Sequence, residues 1–478
     1  MERCEVVVVG GRLAGACAAA HLAKAGRRVL VLDKMTFPSD QLSTHLLFPA
    51  GVEELRRMGA LEGILANDPT KSPWVELGMP DGVHVRERWR KSGEIDYCMC
   101  VPRTMQDVEL VRAARAAGAE VREKCSVLSV RWRAGRACGV SYRDPDGDVR
   151  DVQADLVIGA DGRRSTTASE VGAFEPYRAS RNGRGLVFRY LDDPLFETVA
   201  GQTIYQWRDG DSFAMAFPSA PRGRILALFM GAAEEASEAR GDAEGYWERK
   251  LAQHPRMAER LAGAGNPSKL RSTGDTTAFF RASSGPGWAL LGDAGHFKDP
   301  VIGQGQRDAL WTGRELAEAV SDRLQDHPET DAALRRWEAE RDRECLSAYH
   351  FGNIDTEVEK VPPVLVEVLR RTSRDQLPDV SDLFGRARSL PQVVTLPRMQ
   401  RGLLAAIGRG SHGPPTRLVA DALPQLRTHI GIRTEALAGR FRSTRLVPGS
   451  DHPHPHPPKA PRNAGPEPAR PEAEAVAA

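Results

Sequence analysis

The first 34 residues contain the feature that most restricts the fold. The stretch "VVVVGGRLAGACAAAHLAKAGRRVLVLDK", residues 6–34, runs from an apolar segment through a glycine-rich corner and an alanine-rich segment to a second apolar segment that ends in an acid. Short, uninterrupted apolar runs are typical of strands buried on both faces of a parallel sheet, and alanine favours helix. The order predicts a β-α-β unit of the kind that binds dinucleotides at the carboxyl edge of the sheet.

The glycine-rich corner departs from the G-x-G-x-x-G fingerprint at one position. Gly10 and Gly15 occupy the first and third glycine positions, but Arg12 replaces the second. The second glycine normally lets the backbone approach a pyrophosphate at the positive helix N-terminus. An outward-pointing guanidinium would instead supply charge by pairing with a phosphate. Asp33 ends the second strand, where an acid binds a ribose 2′-hydroxyl. Taken alone, the corner fits a nucleotide site and a ligand-free turn about equally well.

Two later stretches favour the nucleotide site. "LVIGADGRRST" (156–166) and "WALLGDAGHFKDPVIGQGQRDAL" (288–310) each end an apolar strand in a loop with an acid and several glycines. They place Asp161 and Asp293 at the carboxyl ends of strands, where open α/β sheets bind ligands. Three such loops in this order are a much stronger signal than one.

The rest of the chain suggests a nucleotide-binding domain built from separate pieces. Between 183 and 280 the pattern changes to strands with aromatic residues, and a single long helix is expected from about 305 to 349. The predicted regions are a nucleotide-binding domain at 1–72, 99–175 and 276–349, a substrate-binding β-sheet domain at 73–98 and 176–275, a helical C-terminal region at 350–445, and a tail at 446–478. The tail is rich in Pro and Ala without apolar periodicity, which predicts disorder.

These motifs resemble the FAD-dependent monooxygenases of the para-hydroxybenzoate hydroxylase fold over roughly residues 4–350. The similarity is strongest to flavoproteins that share "G-x-R-x-A-G" and a loop like "FPSDQLSTH" (37–45), in which arginine at the second glycine position is normal. The resemblance implies an α/β fold: a Rossmann-like FAD-binding domain with a parallel sheet, an inserted β-rich substrate domain and a helical C-terminal region.

The resemblance also implies which residues bind FAD. Asp33 would hold the adenosine ribose, Val127 would contact the adenine through its backbone, and Arg103 would reach the ribityl-phosphate stretch. Asp293 would bind the ribityl chain, and the helix that begins at 303–306 would stabilise negative charge on the flavin. The full predicted set is Gly10, Arg12, Leu13, Ala14, Gly15, Asp33, Lys34, Arg103, Val127, Asp161, Asp293, Gly303, Gln304, Gly305 and Gln306.

Two residues are candidates for catalysis. Pro300 would lie against the flavin face near the carbon that receives oxygen, as the resemblance implies. His45 ends a loop that runs past the flavin in similar chains, where an imidazole would bind substrate or flavin, or act as a base on a phenol. The alternative for His45 is a histidine that only fixes the loop. Aromatic and apolar residues on the inserted strands are the substrate candidates: Tyr190, Tyr205, Trp207, Phe213, Met215 and Phe217.

The implied reaction uses NADPH or NADH and O2 to hydroxylate an aromatic or polyketide-like molecule through a flavin C4a-hydroperoxide, in secondary metabolism such as antibiotic biosynthesis, or in catabolism. A reductase like the geranylgeranyl reductases is the main alternative. A flavin halogenase is disfavoured because none of the eight tryptophans begins W-x-W-x-I-P. A non-catalytic binding protein like the GDP-dissociation inhibitors is disfavoured by the acidic loops at Asp161 and Asp293.

Composition excludes several other classes. Lys plus Arg (66) nearly balances Asp plus Glu (64), so no charge excess indicates a nucleic-acid partner. No apolar stretch approaches the ~18 residues of a membrane span, and no signal peptide is evident. Seven scattered cysteines do not indicate a disulfide framework, and no cluster has metal-ligand spacing. We therefore expect a cytoplasmic enzyme without a metal, acting on a small molecule.

Overall fold

A computed structural model describes residues 2–40, 42–43, 45–180, 183–355, 360–410, 413–440 and 452–453. The predicted tail at 446–478 lies outside these residues except for a two-residue strand, His452–Pro453. Among the described helices, none combines the length and apolar character needed to cross a bilayer.

The N-terminal β-α-β unit forms the centre of a six-stranded sheet. Val6–Val9 pairs in parallel with Val29–Leu32 on one side and with Leu156–Gly159 on the other. Every residue of these three strands is buried, as expected for a parallel sheet covered on both faces. The strand order is Ser284–Gly285, Trp288–Leu290, Leu156–Gly159, Val6–Val9, Val29–Leu32 and Glu120–Arg122.

Alternate residues of the central strands serve two different layers. Val6 and Val8 pack with the helices on one face, whereas Val7 and Val9 pack with a second, four-stranded sheet on the other. The helices of the first layer are Leu13–Lys24, Pro49–Met58, Leu61–Leu65, Arg103–Ala116 and Gly305–Val320. The second sheet consists, in order, of Glu2–Arg3, Val149–Gln153, Arg136–Arg143 and Ser126–Arg133. The short helix Thr166–Glu170 follows the central strand Leu156–Gly159 in the chain.

A seven-stranded sheet lies beyond the carboxyl edge of the central sheet. It joins strands from both predicted pieces of the substrate region, since Trp74–Gly78 pairs in parallel with Thr203–Asp209. Its order is Arg271–Thr273, Arg184–Asp192, Arg224–Ala232, Ser212–Pro218, Thr203–Asp209, Trp74–Gly78 and His84–Arg88. Helices Glu235–Gly241, Ala243–Gln253 and Pro255–Arg260 follow the strand Arg224–Ala232 in the chain.

Smaller elements connect the layers. Leu46–Leu47 pairs with Met99–Cys100, and Ala278–Phe280 pairs with His296–Phe297 and Arg178–Ser180. Three single turns of 3₁₀ helix lie at Ala200–Gln202, Gly292–Ala294 and Pro300–Ile302. All seven cysteines are free thiols.

The predicted long helix at 305–349 is wrong in one respect, because it is two helices. Gly305–Val320 ends, and His327–Asp355 begins after a short turn. Asp326 accepts a hydrogen bond from the backbone N–H of Glu329 at 3.1 Å, and Pro328 cannot continue a helix interior. An acidic cap followed by proline is a signal for a helix start, and it places the start of the second helix after Asp326.

The C-terminal region is helical, as predicted. Its helices are Pro363–Arg374, Asp379–Phe384, Leu390–Val393, Leu396–Arg409 and Pro415–Ala438. Phe384 packs into the same apolar cluster as strands of the seven-stranded sheet. The α/β fold with a parallel sheet, an inserted β-rich region and a helical C-terminal region is therefore confirmed.

Candidate cofactor and substrate site

The glycine-rich corner brings a strand and a helix closer together than side chains would permit. A Cβ on Gly15 would lie 1.9 Å from the carbonyl oxygen of Gly10, and a Cβ on Gly10 would lie 2.5 Å from that of Ala160. Gly10 also has a φ of +99°, which favours glycine. Leu13 and Ala14, the next helical residues, are buried. The corner thus keeps the helix N-terminus tight against the sheet edge.

The sequence analysis considered an outward-pointing Arg12. In the structure, hydrogen bonds within the chain hold its side chain in place. Its guanidinium donates to Asp107 at 2.5 Å and to the Ser39 hydroxyl at 2.7 Å. Asp107 is fully buried and also accepts two hydrogen bonds from Arg103, at 2.7 and 2.9 Å. Two arginines therefore share one carboxylate, which leaves one net positive charge beside the helix N-terminus. Arg103 is the first residue of the helix Arg103–Ala116.

Asp33 is oriented by the backbone around the corner. One carboxylate oxygen accepts the N–H of Gly11 at 2.6 Å and the other accepts that of Met35 at 2.8 Å. Each oxygen has a further lone pair for a ligand hydroxyl. Lys34 is exposed, and Val127 lies opposite Tyr142 in the second sheet.

Asp161 has a structural role that the sequence prediction missed. Its carboxylate accepts hydrogen bonds from the Ser165 hydroxyl at 2.6 Å and from the backbone N–H of Thr167 at 3.0 Å. Ser165 in turn caps the helix Thr166–Glu170. Both carboxylate oxygens hold the loop and the helix start, and the contact of this side chain with the cofactor stays a prediction.

Asp293 has no such partners among the described residues. Its carboxylate is not engaged in any hydrogen bond or ion pair, and burial raises its pKa, while the charges of Arg163, Arg103 and Lys298 lower it. Arg281 fixes the loop beneath, donating to the carbonyl oxygen of Ala294 at 3.1 Å. The side chain is therefore held in place with free lone pairs, as a contact to sugar hydroxyls requires.

The start of the helix Gly305–Val320 is open on one side. A Cβ on Gly305 would meet nothing within 4 Å, whereas one on Gly303 would lie 2.8 Å from the Phe48 ring. Gln306 accepts a hydrogen bond from Gln106 at 2.7 Å, yet Nε2 of Gln306 and Oε1 of Gln106 are buried without partners in this part of the structure. Gln304, by contrast, turns away and donates to the carbonyl oxygen of Phe384 at 2.8 Å.

These features fit FAD. Buried polar atoms without partners are costly, and they are explained if a polar ligand supplies the missing hydrogen bonds. The free carboxylate of Asp293 suits ribityl hydroxyls, the shared charge of Arg12 and Arg103 suits a diphosphate, and the open helix N-terminus at Gly305 suits an electronegative flavin edge.

An apolar cavity lies between the Pro300 turn and the seven-stranded sheet. The lining residues are Leu46, Phe48, Val75, Leu77, Trp89, Ile204, Gln206, Met215, Phe217, Pro300, Val301, Gly303 and Phe384. Phe384 comes from the C-terminal region, so that region closes one wall of the cavity.

The predicted substrate residues separate onto two faces of the sheet. Met215 and Phe217 line the cavity, and Phe213 shares their face but lies beneath the guanidinium groups of Arg184 and Arg208. Tyr205 and Trp207 do not line this cavity, so their contact with a substrate stays a prediction. These two rings stack at 4.9 Å on the opposite face, in a cluster with Trp247, Met257 and Leu261, because alternate strand residues point to opposite sides.

His45 and Tyr190 are hydrogen bonded to each other. His45 Nδ1 lies 2.5 Å from the Tyr190 hydroxyl, and the rings stack at 5.8 Å. His45 is 2 % exposed with a φ of +61°, a conformation that costs energy in a residue other than glycine. Tyr190 lies directly opposite Leu226 on the neighbouring strand, and Leu226 lies opposite Phe217, which lines the cavity. The three side chains therefore share one face of the sheet. Burial raises the pKa of Tyr190 well above its usual value.

A buried ionic cluster supports the helix start from behind. Asp308 forms ion pairs with Lys298, with Arg386 at 2.8 Å and with Arg307 at 3.0 Å, and these charges lower its pKa despite its burial. Donor atoms of His296 and Cys345 lie within 4.8 Å of Asp308 and of one another. Three cations around one carboxylate make this a poor place for a metal ion.

Several of these residues were not identified from the sequence. Asp107 had a signal, because it lies four residues after Arg103, the spacing at which oppositely charged side chains meet on a helix. Phe384 and Arg386 had none, since they reach the site from a distant part of the chain.

Comparison with known proteins agrees with this geometry. Residues 3–343 match the family model described as FAD binding domain. The chain is 27 % identical over 337 residues to digeranylgeranylglycerophospholipid reductase of Methanothrix thermoacetophila, covering 67 % of this chain and 78 % of the relative. It is 28 % identical over 324 residues to rifampicin monooxygenase of Streptomyces venezuelae, covering 66 % and 64 %.

Solved structures share the fold. The myxobacterial chondrochloren halogenase CndH superposes with a TM-score of 0.66 at 21 % identity, over 85 % of this chain and 98 % of that one. The flavin-dependent brominase Bmp2 superposes with a TM-score of 0.68 at 18 % identity, over 86 % and 100 %. Since the family model spans most of its length, the chain belongs to the FAD-binding domain family and is an FAD-dependent oxidoreductase.

Proposed function

We propose that this chain is a monooxygenase that uses NADPH or NADH and O2 to hydroxylate an aromatic or polyketide-like small molecule, in secondary metabolism or catabolism. The observation that carries the proposal is the His45–Tyr190 pair, with Tyr190 on the same face of the seven-stranded sheet as Phe217 of the apolar cavity. Similarity to rifampicin monooxygenase supports it. In this proposal FAD is bound by residues 1–72, 99–175 and 276–349, and the substrate by 73–98 and 176–275.

FAD, when bound, would take electrons from the nicotinamide and activate O2 for transfer to an electron-rich carbon. Arg12 and Arg103 would hold its diphosphate through their shared positive charge, and Asp293 would orient its ribityl chain. Pro300 would form the wall of the cavity on the flavin side. The apolar side chains of Met215, Phe217 and others exclude water, which limits wasteful release of hydrogen peroxide.

The chain's own proton chemistry would lie in the His45–Tyr190 pair. A phenol becomes a better nucleophile at carbon when it loses its proton. Because burial keeps Tyr190 neutral, its hydroxyl can accept that proton while donating its own to Nδ1 of His45. The 2.5 Å separation suits such a transfer, and the strained backbone at His45 is of the kind that collects at functional sites.

The proposal is tested by turning over a panel of phenols and polyketides under ¹⁸O2 with NADPH. We expect substrate-stimulated NADPH oxidation and one labelled oxygen atom in the product. Tyr190→Phe keeps the ring but removes the hydroxyl, and should lower kcat for phenols about 10²–10⁴-fold with unchanged FAD content. Trp207→Phe, on the opposite face of the sheet, is the matched control and should leave kcat unchanged.

A reductase is the second candidate, favoured by similarity to digeranylgeranylglycerophospholipid reductase. A saturated product that carries no ¹⁸O would establish the reductase and overturn hydroxylation. Labelled product with full activity in Tyr190→Phe would retain hydroxylation but remove the proton relay.

A further inference from the structure

One side-chain amide belongs to the wall of the apolar cavity. Gln206 is the single residue with such a group among the lining residues that the structure describes. It lies directly opposite Met215 on one neighbouring strand and opposite Leu77 on the other, so apolar side chains flank it on the same face of the sheet. Tyr205 and Trp207, the residues before and after it, point to the other face. The strand therefore directs the Gln206 side chain towards the cavity.

The amide of Gln206 has no hydrogen-bond partner within the described part of the chain. The residue is 8 % exposed, so bulk water does not readily replace the missing partner. A buried amide that forms no hydrogen bond is costly, and an apolar side chain of the same size would pack at this position without that cost. The amide is explained if a ligand group completes its hydrogen bonds.

A second polar group of the same wall also lacks a partner. Trp89 lines the cavity, and its Nε1 is buried without a hydrogen bond to any described residue. An indole N–H only donates, whereas the amide of Gln206 donates through Nε2 and accepts through Oε1. The wall therefore has more unused donors than acceptors, and the ligand group that complements it is a hydrogen-bond acceptor.

The wall disfavours an ionised ligand group. None of the described residues that line the cavity is charged, and Arg208, two residues along the strand, lies over the Phe213 ring instead. A carboxylate or ammonium group would lose its hydration here without a counter-ion, which costs far more than burial of a neutral group. A neutral carbonyl oxygen, as in a ketone or ester, accepts hydrogen bonds without that cost.

We propose that Gln206 is a specificity-determining residue, whose Nε2–H donates to a neutral carbonyl oxygen at the edge of an otherwise apolar substrate. The inference rests on the proposed function, because it names the class of molecule that this site binds. It selects neutral aromatic ketones and esters over aromatic carboxylates and over hydrocarbons that carry no acceptor at that edge.

Three ligands that differ in one substituent test the proposal: 6-acetyl-2-naphthol, 6-ethyl-2-naphthol and 6-hydroxy-2-naphthoate. Calorimetric titration of the full chain loaded with FAD, without NADPH, measures their affinities independently of turnover. One neutral hydrogen bond corresponds to about a fivefold to tenfold difference in affinity. We expect the acetyl compound to bind more tightly than the ethyl compound by that factor, and the carboxylate to bind most weakly.

Gln206→Leu and Gln206→Met each remove the amide at similar size. Either variant should abolish the preference for acetyl over ethyl with unchanged circular dichroism and FAD content. Either should also raise the melting temperature of the protein without ligand, because the unpaired amide is gone. Met215→Leu, on the neighbouring strand, is the matched control. It alters the same wall without changing its polarity, so the ratio of the two affinities should stay the same.

Three results would overturn the proposal. The first is an unmodified chain that does not distinguish the acetyl from the ethyl compound, including one that binds neither. The second is a preference that persists in the Gln206 variants, and the third is tightest binding of the carboxylate. Hydroxylation has its own readout. A preference that depends on Gln206, without labelled product under ¹⁸O2, would retain the carbonyl site and remove the monooxygenase, whereas labelled product with equal affinities would do the reverse.

Discussion

Replacement of Gly15 by alanine gives a direct test of the cofactor corner. The new Cβ would lie 1.9 Å from the carbonyl oxygen of Gly10, whereas ordinary contacts begin near 3.4 Å. The helix Leu13–Lys24 and the strand Val6–Val9 would therefore have to separate by more than 1 Å at their closest point. A backbone carbonyl cannot rotate away as a flexible side chain can, so the separation moves the helix N-terminus that would bind the diphosphate.

The magnitude follows from two opposing effects. Overpacking a rigid site costs about 1–3 kcal/mol, and we take the upper end because the obstacle is backbone. Alanine in a helix recovers up to about 1 kcal/mol relative to glycine. The expected net loss in the free energy of unfolding is about 2 kcal/mol, together with at least a tenfold loss in FAD affinity, since the phosphate-binding geometry is disturbed.

Urea unfolding followed by circular dichroism measures the stability change, and flavin fluorescence titration of the apoprotein measures the affinity. Gly408→Ala is the matched control. This glycine is also helical, but a Cβ there would meet nothing within 4 Å, so the same substitution should be neutral or slightly stabilising. Equal behaviour of the two variants in both assays would refute the argument.

Two further outcomes follow from the site. Because burial raises the pKa of Asp293 above its unfolded value, the ionised form destabilises the apoprotein, and stability should rise as pH falls through the folded pKa. Asp293→Asn should therefore stabilise the apoprotein at neutral pH in thermal melts, flatten this pH dependence and weaken FAD binding; an unchanged melting curve with full affinity would contradict it. Arg386→Gln removes one of three cations from buried Asp308 and should cost about 2 kcal/mol in urea unfolding. Arg388→Gln, at a half-exposed ion pair, should cost under about 1 kcal/mol, and equal losses would rule out the buried cluster as the cause.

The sequence alone determined the local geometry of the central sheet. The apolar runs at 6–9 and 29–32 predicted buried parallel strands. A strand that is buried on both faces is apolar at every position, whereas a strand with one exposed face alternates apolar and polar residues. Gly10 and Gly15 predicted a tight corner, and the glycines around Asp293 predicted a loop at the sheet edge. These features depend on a few neighbouring residues, so a short window of sequence contains the information.

The tertiary structure decided which long-range partners complete the site. Arg12 pairs with Asp107, 95 residues away, and no local pattern specifies that contact. Strand alternation showed that Tyr205 and Trp207 share a face, but only packing against the helices of residues 243–260 decided that this face points away from the cavity. Phe384 likewise reaches the cavity because a distant helix folds back over it. Side chains this far apart in the chain meet only through the balance of packing over the whole molecule, which spacing along the sequence does not encode.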